Sequence, residues 1–576
     1  MRKILYILAK DVHNTPALKI YMEFIKKGYI VDLYAIYLDW MHINMFLGSG
    51  IKVCDFAELT EKKIEGYDYI FSCISVSQYE IFREIKKYIF IFSTTFIHEA
   101  YFTGDFTFTQ RENFSLDQEE EWPISRVNSC KLAPSMAVGN PKFEGLKQML
   151  PGPEKTILFI DSGHFPYGTK EELAKFVLKI AAQYSDYYII VRPRYLKGDH
   201  NVTHRNDDYL YEHIIKLCDN NVPDNLELGK THTNLGPDLE RSKIVICMGT
   251  TTFFEAAVAN RNILIIDNFP CEDSKEHNQK RRRRFSQIAK ESECQVDYKD
   301  VFKYLPEGRK CSEKYLQKWI FQTEGVAATI VEAAEYIFET FINKGHFPKF
   351  KNTNSLNFKE NLEADDYITW DQIIHRRYKN ILYNFSNFDN WLNADIDFSS
   401  VLGNIEKLEA EGILFNKSNY KSIQKHIDNC MEELLLFNRN KLMKYAVDQS
   451  YLFNILFKRG RLSEIKETEV LCTAYYAFLK GKEAAKEGKD KQCIDDMNTY
   501  FKEVNKNKYD KTRADATDCK MTAFFYIGKA YYNLKQYKEA KYYFLKCEQI
   551  SNNEHLKAAE YLKLLEEDKC GEEKII

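Results

Sequence analysis

Short apolar runs alternate with amphipathic stretches through the first hundred residues. Two stretches between the runs, residues 16–27 and 78–87, have the spacing of amphipathic helices. Strands that alternate with helices favour right-handed crossovers and a parallel sheet. The pattern therefore predicts an α/β, Rossmann-like domain over residues 1–140. Its predicted strands are residues 4–9, 30–36, 52–56, 67–74 and 88–92.

A polar, acidic segment at residues 110–135 interrupts this alternation, which then resumes. We predict a second Rossmann-like domain over residues 141–345, entered through the turn AVGNPKFEG at residues 137–145. Its predicted strands are residues 156–161, 187–192, 243–248 and 263–267, and its predicted helices are residues 170–184, 209–218, 251–259, 312–321 and 325–341.

The strand-like runs end near residue 344, and the remaining sequence has a helical period. We predict a helical connecting region over residues 346–465 and tetratricopeptide-like helical repeats over residues 466–576. In the final repeat, small residues stand where two antiparallel helices would cross, and large residues fill the space beside them. An ordinary helical hairpin is the alternative. The final set is Phe524, Ile527, Gly528, Tyr531, Ala540, Phe544 and Cys547, and an upstream set is Gly481, Ala484, Cys493 and Met497.

The composition is that of a globular protein with nearly balanced charge. The 576 residues include 81 Lys and Arg against 84 Asp and Glu, which argues against a protein that wraps nucleic acid. Hydrophobic residues make up 44% and charged residues 29%, so wholesale disorder is excluded. The aromatic share is 14%, and the bulky positions of the predicted repeats account for part of it through helix packing.

The cysteines and the N-terminus indicate the cellular compartment. The 14 cysteines stand singly, without a CxxC pair, which argues against a zinc ribbon or a thioredoxin-type site. Most fall in apolar runs, as buried thiols do in a reducing compartment. The first apolar run stops at Lys10, too early for a signal peptide, and no window approaches the ~20 apolar residues of a membrane helix. We expect a cytoplasmic protein with at most peripheral membrane contact.

The most informative stretch is residues 242–267. Gly249, Thr250, Thr251 and Thr252 follow a buried strand-like run, and Glu255 lies in the first turn of the predicted helix. A helix N-terminus offers free N–H groups, small residues let a phosphate oxygen come close, and threonine hydroxyls add donors. The stretch therefore predicts a diphosphate cradle. Ordinary helix capping by threonine and glutamate explains the same residues about equally well.

Other polar residues follow the neighbouring predicted strands. Gly163 and His164 stand just past the first strand of the second domain, and Arg192 and Arg194 stand at the end of the next strand. Ligands bind beyond the carboxyl ends of the strands in open α/β sheets, and arginine grips phosphate with two donors. We expect these residues and the threonine cluster to line one donor-binding crevice, with His164 also a candidate catalytic base. Singly, each also fits an ordinary loop or surface residue.

Two histidines of the first domain are further candidates for the catalytic base. His13 follows the first predicted strand, and His98, with Glu99 beside it, follows the last. Histidine has a pKa near neutrality, so it can take the proton of an acceptor hydroxyl. A loop histidine without a role is an equally good interpretation of each. Lys142, in the GNPKFE turn, is a candidate acceptor-side residue, although a structural linker explains it better.

Two Rossmann-like domains, the GNPKFE turn and the strand–GTTTFFEA–helix–NILIID unit together resemble GT-B-fold transferases. Over about residues 1–345, the nearest resemblance is to bacterial surface-carbohydrate enzymes, namely CDP-glycerol glycerophosphotransferase-like proteins and related glycosyltransferases. It implies that the second domain binds the donor's nucleotide diphosphate through residues 249–252, Glu255, Arg192 and His164, and that the first domain binds the acceptor. It also implies a metal-independent mechanism, in which protein cations and helix dipoles stabilise the leaving diphosphate.

Two further charge patterns receive ordinary interpretations. The basic run at residues 280–284 reads first as a solvated loop or exposed helix start, with attraction to a phosphate-bearing acceptor or an anionic membrane as the alternative. Asp395 and Asp397 form a DxD outside both Rossmann-like domains, which we interpret as coincidence. We therefore expect no metal and no cofactor besides the nucleotide-activated donor.

The leading hypothesis is a transferase of bacterial surface-glycan biosynthesis. It moves a substituted phosphoryl or glycosyl group from a nucleotide-activated donor, with a CDP-linked donor favoured, to a hydroxyl of a carbohydrate or glycan. The alternatives are a UDP-sugar-dependent GT-B glycosyltransferase that modifies a protein or glycan, a sugar-nucleotide epimerase, and a non-catalytic scaffold. In each transferase version the helical repeats dock a protein partner or a glycoprotein acceptor.

Overall fold

The computed structural model divides the chain into two compact units. The first unit contains Met1–Ala137 together with Ala328–Ile576, and the second contains Val138–Ala327. The C-terminal helices therefore share a unit with the N-terminal domain. The structure describes residues 2–8, 14–35, 45–73, 76, 80–93, 104–110, 134–150, 152–161, 170–193, 209–229, 235–248, 252–267, 289–350, 357–365, 368–374, 376–377, 469–506, 517–551 and 555–572.

A seven-stranded parallel sheet forms the centre of the first unit. Its order is β3-β2-β1-β4-β5-β6-β7, and every neighbouring pair is parallel. Parallel sheets are covered on both faces, so the central strands β4 and β5 are buried at every residue. The elements are β1 (Lys3–Leu8), α1 (Asn14–Lys26), β2 (Ile30–Ala35), β3 (Val53–Asp55), the 3-10 turn Phe56–Glu58, α2 (Glu61–Glu65), β4 (Tyr69–Ser72), β5 (Ile89–Phe92), β6 (Phe106–Thr109) and β7 (Ser135–Ala137).

This sheet confirms the Rossmann-like prediction for the first domain, with one element predicted wrongly. Of the predicted helix at residues 78–87, the described part forms only a 3-10 turn at Glu80–Phe82. Backbone carbonyls of this segment, including those of Ile85 and Lys87, accept hydrogen bonds from the Arg377 guanidinium. They are therefore not used in an α-helical ladder. Strands β6 and β7 are additions that the sequence pattern did not predict.

A six-stranded parallel sheet forms the centre of the second unit and confirms the second Rossmann-like prediction. Its order is β10-β9-β8-β11-β12-β13. Its strands are β8 (Thr156–Ile160), β9 (Tyr188–Arg192), β10 (Leu226–Leu228), β11 (Ile244–Cys247), β12 (Asn262–Asp267) and β13 (Gln295–Asp297). The helices are α3 (Lys170–Gln183), α4 (Leu210–Leu217), α5 (Gly236–Glu240), α6 (Phe253–Val258), α7 (Val301–Tyr304) and α8 (Glu313–Trp319), with 3-10 turns at Pro141–Phe143 and Tyr298–Asp300.

A small antiparallel sheet follows α9 (Val326–Thr340) and the 3-10 turn Ile342–Lys344. Strand β14 (Phe347–Phe350) pairs with β15 (Leu362–Asp365), and α10 (Phe358–Asn361) precedes β15. The prediction of an entirely helical region from residue 346 is therefore wrong at its start. The Phe347 ring centre lies 6.1 Å from that of Tyr88 and 5.1 Å from that of Trp370, so tertiary aromatic contacts support the strand.

Five helices are described beyond residue 468, and they contain two hairpins with the same internal contact. A Cβ atom on Gly528 would lie 2.8 Å from Cδ1 of Phe544, and one on Gly481 would lie 2.8 Å from Cγ of Met497. Both glycines therefore allow the paired helices to approach closely. The small-against-large pairs are confirmed, and their assignment to tetratricopeptide repeats stays a prediction. The helices are α11 (Glu469–Lys486), α12 (Asp490–Lys506), α13 (Thr517–Asn533), α14 (Tyr537–Ile550) and α15 (Leu556–Glu572).

Arg377 is buried against the first sheet in an ion pair. Its Nε and Nη2 donate to the two carboxylate oxygens of Asp105, at 2.9 and 2.5 Å. Its remaining donors reach the carbonyls of Phe82, Ile85 and Lys87 at 3.0, 2.8 and 2.7 Å. The two charged side chains are 3% and 2% exposed. Removing one charge from such a pair leaves the other buried without compensation.

We expect Arg377→Met to lower the free energy of unfolding by about 3–5 kcal/mol, because it leaves the Asp105 carboxylate buried without its cation. Arg376→Met, at the neighbouring and less buried arginine, is the matched control and should cost less than about 1 kcal/mol. Urea unfolding followed by circular dichroism measures both variants. Equal losses of unfolding free energy in the two variants would show that the ion pair of Arg377 with Asp105 does not stabilise the fold more than an ordinary arginine does.

His555 stands at the start of α15 and acts as its cap. Its Nδ1 accepts a hydrogen bond from the N–H of Ala558 at 3.0 Å. The ring is buried and stacks on Phe525, with the ring centres 5.2 Å apart. Burial lowers the pKa of His555 to about 4, so the imidazole is neutral in the folded chain. Protonation at Nδ1 would remove the acceptor that caps the helix.

We expect His555 to make the first unit less stable as the pH falls from about 6.5 to about 4. The unfolded histidine, with its pKa of 6.5, takes the proton first, so the stabilisation is complete above pH 6.5 and is lost through this window. The full loss is about 3 kcal/mol. His555→Asn keeps a capping acceptor that does not titrate. Thermal melts across this pH range should show a shallower slope for His555→Asn than for the natural chain, and identical slopes would contradict the assignment.

Candidate functional site at the carboxyl edge of the second sheet

The six-stranded sheet reverses its strand order between β8 and β11. Strands β9 and β10 lie on one side of this point, and β12 and β13 lie on the other. In open parallel sheets, ligands bind beyond the carboxyl ends of the strands at such a switch point. We define the carboxyl edge by the residues at those ends, which are Asp161, Arg192, Met248 and Asp267.

Asp161 follows β8 and is almost wholly buried. Its Oδ1 lies 2.5 Å from Nζ of Lys170, the first residue of α3, and the side chains are 3% and 12% exposed. The backbone N–H of Asp161 donates to the carbonyl of Arg192 at 3.0 Å, which extends the β8–β9 pairing beyond the strand. The ion pair therefore ties together the two residues that flank residues 162–169, the segment with the sequence candidates Gly163 and His164.

Arg192 ends β9 and is paired with a carboxylate from α5. Its Nη1 donates to Oδ2 of Asp238, and both side chains are mostly buried. The hydroxyl of Tyr211, on α4, donates to the carbonyl of Val191 at 2.7 Å. Burial raises the pKa of Tyr211, so the phenol stays protonated as a donor. The guanidinium and the phenol thus attach α4 and α5 to the end of β9.

Lys142 and Glu255 form a third ion pair, with 3.3 Å between Nζ and Oε2. The side-chain oxygen of Asn140 accepts the N–H of Lys142 at 3.0 Å and so fixes the start of the 3-10 turn Pro141–Phe143. Glu255 lies in the first turn of α6. The pair therefore connects the turn at the start of the second unit with the helix that follows residues 249–252.

Thr252 precedes α6 without serving as its side-chain cap. Its backbone is helical, with φ −61° and ψ −19°, and its side chain makes no capping hydrogen bond. The capping interpretation that the sequence offers for the threonine cluster is therefore not realised at this position.

The structure describes four of the predicted site residues, all in the second unit: Lys142, Arg192, Thr252 and Glu255. It brings Lys142, predicted for the acceptor side, to Glu255, predicted for the donor side. It pairs Arg192 with Asp238, which was not predicted. The other candidates lie outside the described residues and stay predictions, namely His13, His98, Glu99, Gly163, His164, Arg194, Gly249, Thr250 and Thr251.

Sequence reasoning missed three charged residues of this edge. Asp161 directly follows a buried strand-like run, in FIDSG, so the sequence pattern already predicts it at the end of a strand. Lys170 stands at the start of a helix, where the dipole disfavours a cation, and that misfit is a signal of a paired carboxylate. Asp238 carries no comparable signal, because an acid in the first turn of a helix is ordinary.

The described cations of the edge each face a carboxylate. Lys170, Arg192 and Lys142 are held by Asp161, Asp238 and Glu255 respectively, in mostly buried pairs. The positive charge of each of these three side chains is therefore balanced by a carboxylate.

The part of the chain that the structure describes contains no group of three or more His, Cys, Asp or Glu side chains that could hold a metal ion. It also contains no helix with the length and apolar character needed to cross a membrane.

No protein-family model matches the chain, and no curated protein matches it. Solved structures that match the chain include MurG of Acinetobacter baumannii, at 11% identity and a TM-score of 0.36, with 58% of this chain and 99% of that chain covered. A putative UDP-N-acetylglucosamine 2-epimerase from Listeria monocytogenes has 12% identity and a TM-score of 0.40, with 59% and 97% covered. The glycosyltransferase VinC in complex with dTDP has 9% identity and a TM-score of 0.32, with 58% and 98% covered. The fold described above rests on the strand order and pairing of the two sheets.

We expect Lys170→Met to lower the free energy of unfolding by about 2–3 kcal/mol, because it leaves the buried Asp161 carboxylate without the cation of Lys170. Lys175→Met is the matched control on the same helix. Its ion pair with Glu171 is half exposed, so the loss should stay below about 0.5 kcal/mol. Chemical denaturation of both variants decides the matter. A loss for Lys170→Met as small as that for Lys175→Met would remove the structural role assigned to the Asp161 pair.

Proposed function

We propose that the protein is a GT-B-type transferase whose second unit binds a nucleotide diphosphate-activated donor. The observation that carries the proposal is the parallel sheet with its switch point at β8 and β11, because β11 leads directly into the sequence GTTT at residues 249–252. Small residues at a strand end let phosphate oxygens approach the backbone, and the hydroxyls add donors.

The position of one side chain of the second unit supports this placement of the donor. Arg192 ends β9, which is separated from β11 only by β8. Neighbouring strands lie about 4.8 Å apart, so the ends of β9 and β11 are about 10 Å apart. A nucleotide diphosphate with its attached group is long enough to reach both ends.

The transfer needs a base, an attacking hydroxyl and a stabilised leaving group. One of His13, His98 or His164 takes the proton of the acceptor hydroxyl, whose oxygen attacks the transferred carbon or phosphorus. The bond to the nucleotide breaks, and the leaving phosphate keeps its electron pair. Arg192, Arg194 and the hydroxyls of residues 250–252 stabilise this charge, without a metal. Glu99 and Lys142 serve the acceptor.

The donor and acceptor classes follow from the resemblance of the sequence. A CDP-linked donor is favoured by the likeness to glycerophosphotransferases, and a UDP-linked sugar is the alternative. The acceptor is a carbohydrate or glycan hydroxyl of bacterial surface-glycan biosynthesis, reached on the cytoplasmic side with at most peripheral membrane contact.

We expect one nucleotide among CMP, CDP, UDP and dTDP to raise the melting temperature of the full chain. A ligand at one hundred times its Kd, bound only to the folded state, stabilises it by about 2.7 kcal/mol. Arg192→Met should weaken that binding roughly ten- to one-hundredfold, because it removes a charge-assisted donor. Arg241→Met is the control, since Arg241 is a more exposed arginine of the same unit and is paired with Glu227. Calorimetric titration measures the affinities.

The outcomes separate the competing functions. If no nucleotide binds, the donor proposal is wrong and a non-catalytic scaffold replaces it. If a nucleotide binds equally to both arginine variants, the transferase proposal survives but the position of Arg192 in the site does not. An epimer formed from a UDP-sugar alone, without an acceptor, would instead identify an epimerase.

A further inference from the structure

The C-terminal helices lie against the first sheet at the end of β3. We call β3 with the turn Phe56–Glu58 the β3 corner, and it presents the carboxylates of Asp55 and Glu58. The hydroxyl of Tyr526, on α13, donates to Oδ2 of Asp55 at 2.5 Å. Nζ of Lys529, one helical turn further on, donates to Oε1 of Glu58 at 2.8 Å. One face of α13 therefore engages both carboxylates of the corner.

The bond between Tyr526 and Asp55 is closed off from water. The two residues are 4% and 7% exposed. Burial, reinforced by the charge of Asp55, raises the pKa of Tyr526 well above its ordinary value, so the phenol keeps its proton. A carboxylate is buried favourably only when donors replace the water that it loses. Separation of α13 from the corner removes the Tyr526 hydroxyl from Asp55.

Two other helices lie beside α13. The helix α11 contacts the turn Phe56–Glu58 directly. The ring centre of Tyr561, on α15, lies 6.0 Å from that of Phe525 and 5.2 Å from that of Tyr532, both on α13. We call the side of α11 and α13 that contacts the β3 corner the shared face.

We propose that this shared face is an internal docking surface whose occupant is the β3 corner, and that the bond between Tyr526 and Asp55 makes the helices and the first sheet one cooperative unit. The helices then stay packed against the carboxyl end of β3 in the folded chain. A protein partner reaches this face only by displacing the corner, and docking on other faces of the helices stays a prediction. The inference does not depend on the proposed function.

The test is native-state hydrogen exchange of the full chain, read on peptides from α13 and from β1 to β4. In the natural chain, the slowest amides of α13 and of β3 should open together, with the same protection. Tyr526→Phe should raise the opening constant of α13 roughly ten- to one-hundredfold, because a hydrogen bond to a charged group is lost. Tyr542→Phe, on the exposed face of α14, is the matched control and should change nothing.

A second substitution distinguishes the pair from general damage to the helix. Asp55→Asn alone should increase the opening constant of α13. In the Tyr526→Phe background it should be nearly neutral, because the bond to Tyr526 is already absent there and the amide introduced at position 55 carries no charge. Should Tyr526→Phe fail to fold, Lys529→Met, at the more exposed pair, should raise opening about two- to fivefold. The proposal is overturned if α13 in the natural chain opens far more readily than β3, or if the effects of the Tyr526 and Asp55 substitutions simply multiply.

Discussion

A carboxylate that leaves water needs a donor, and the first unit is assembled where that need is met by residues far along the chain. Asp105 accepts from Arg377, 272 residues later, as well as from the N–H of Ile89, and Asp55 accepts from Tyr526, 471 residues later. Apolar contacts, such as the one between the rings of Tyr69 and Phe338, add burial but accept many partners. The buried acids are more selective, and both bonds lie within the unit that joins residues 1–137 to residues 328–576.

Periodicity predicted the two parallel sheets because buried strands and amphipathic helices carry their pattern locally. Where the sequence pattern predicted the wrong element, the residues that stabilise the observed element lie far away along the chain. The segment at residues 78–87 has a helical spacing, but several of its carbonyls accept from Arg377. Strand β14 is supported by the rings of Tyr88 and Trp370, which no window around Phe347 contains. Local patterns specify elements, and long-range contacts decide between elements of similar local free energy.

In the candidate site, too, local patterns predict the elements, and long-range contacts decide the pairing of side chains. Apolar runs predict where strands end, and the structure places Arg192 at the end of β9 and Glu255 in the first turn of α6, as expected. Their role in a binding site stays a prediction. Asp238 pairs with Arg192, and Lys142 pairs with Glu255. These pairs depend on the tertiary positions of α5 and of the Pro141–Phe143 turn, which a local sequence pattern does not predict. The resulting ion pairs fix the positions of Arg192 and Lys142 within the second unit.

The separation between Asp105 and Arg377 also has a consequence during synthesis on the ribosome. At 5–20 residues per second, the 272 residues between the two require roughly 14–54 s of translation. Over that period the strands of the first sheet leave the ribosome, while the site around Asp105 lacks its cation and the β3 corner lacks its helices. The nascent domain therefore presents an incomplete surface until most of the chain exists. A truncated chain of the first domain would carry the same defect permanently.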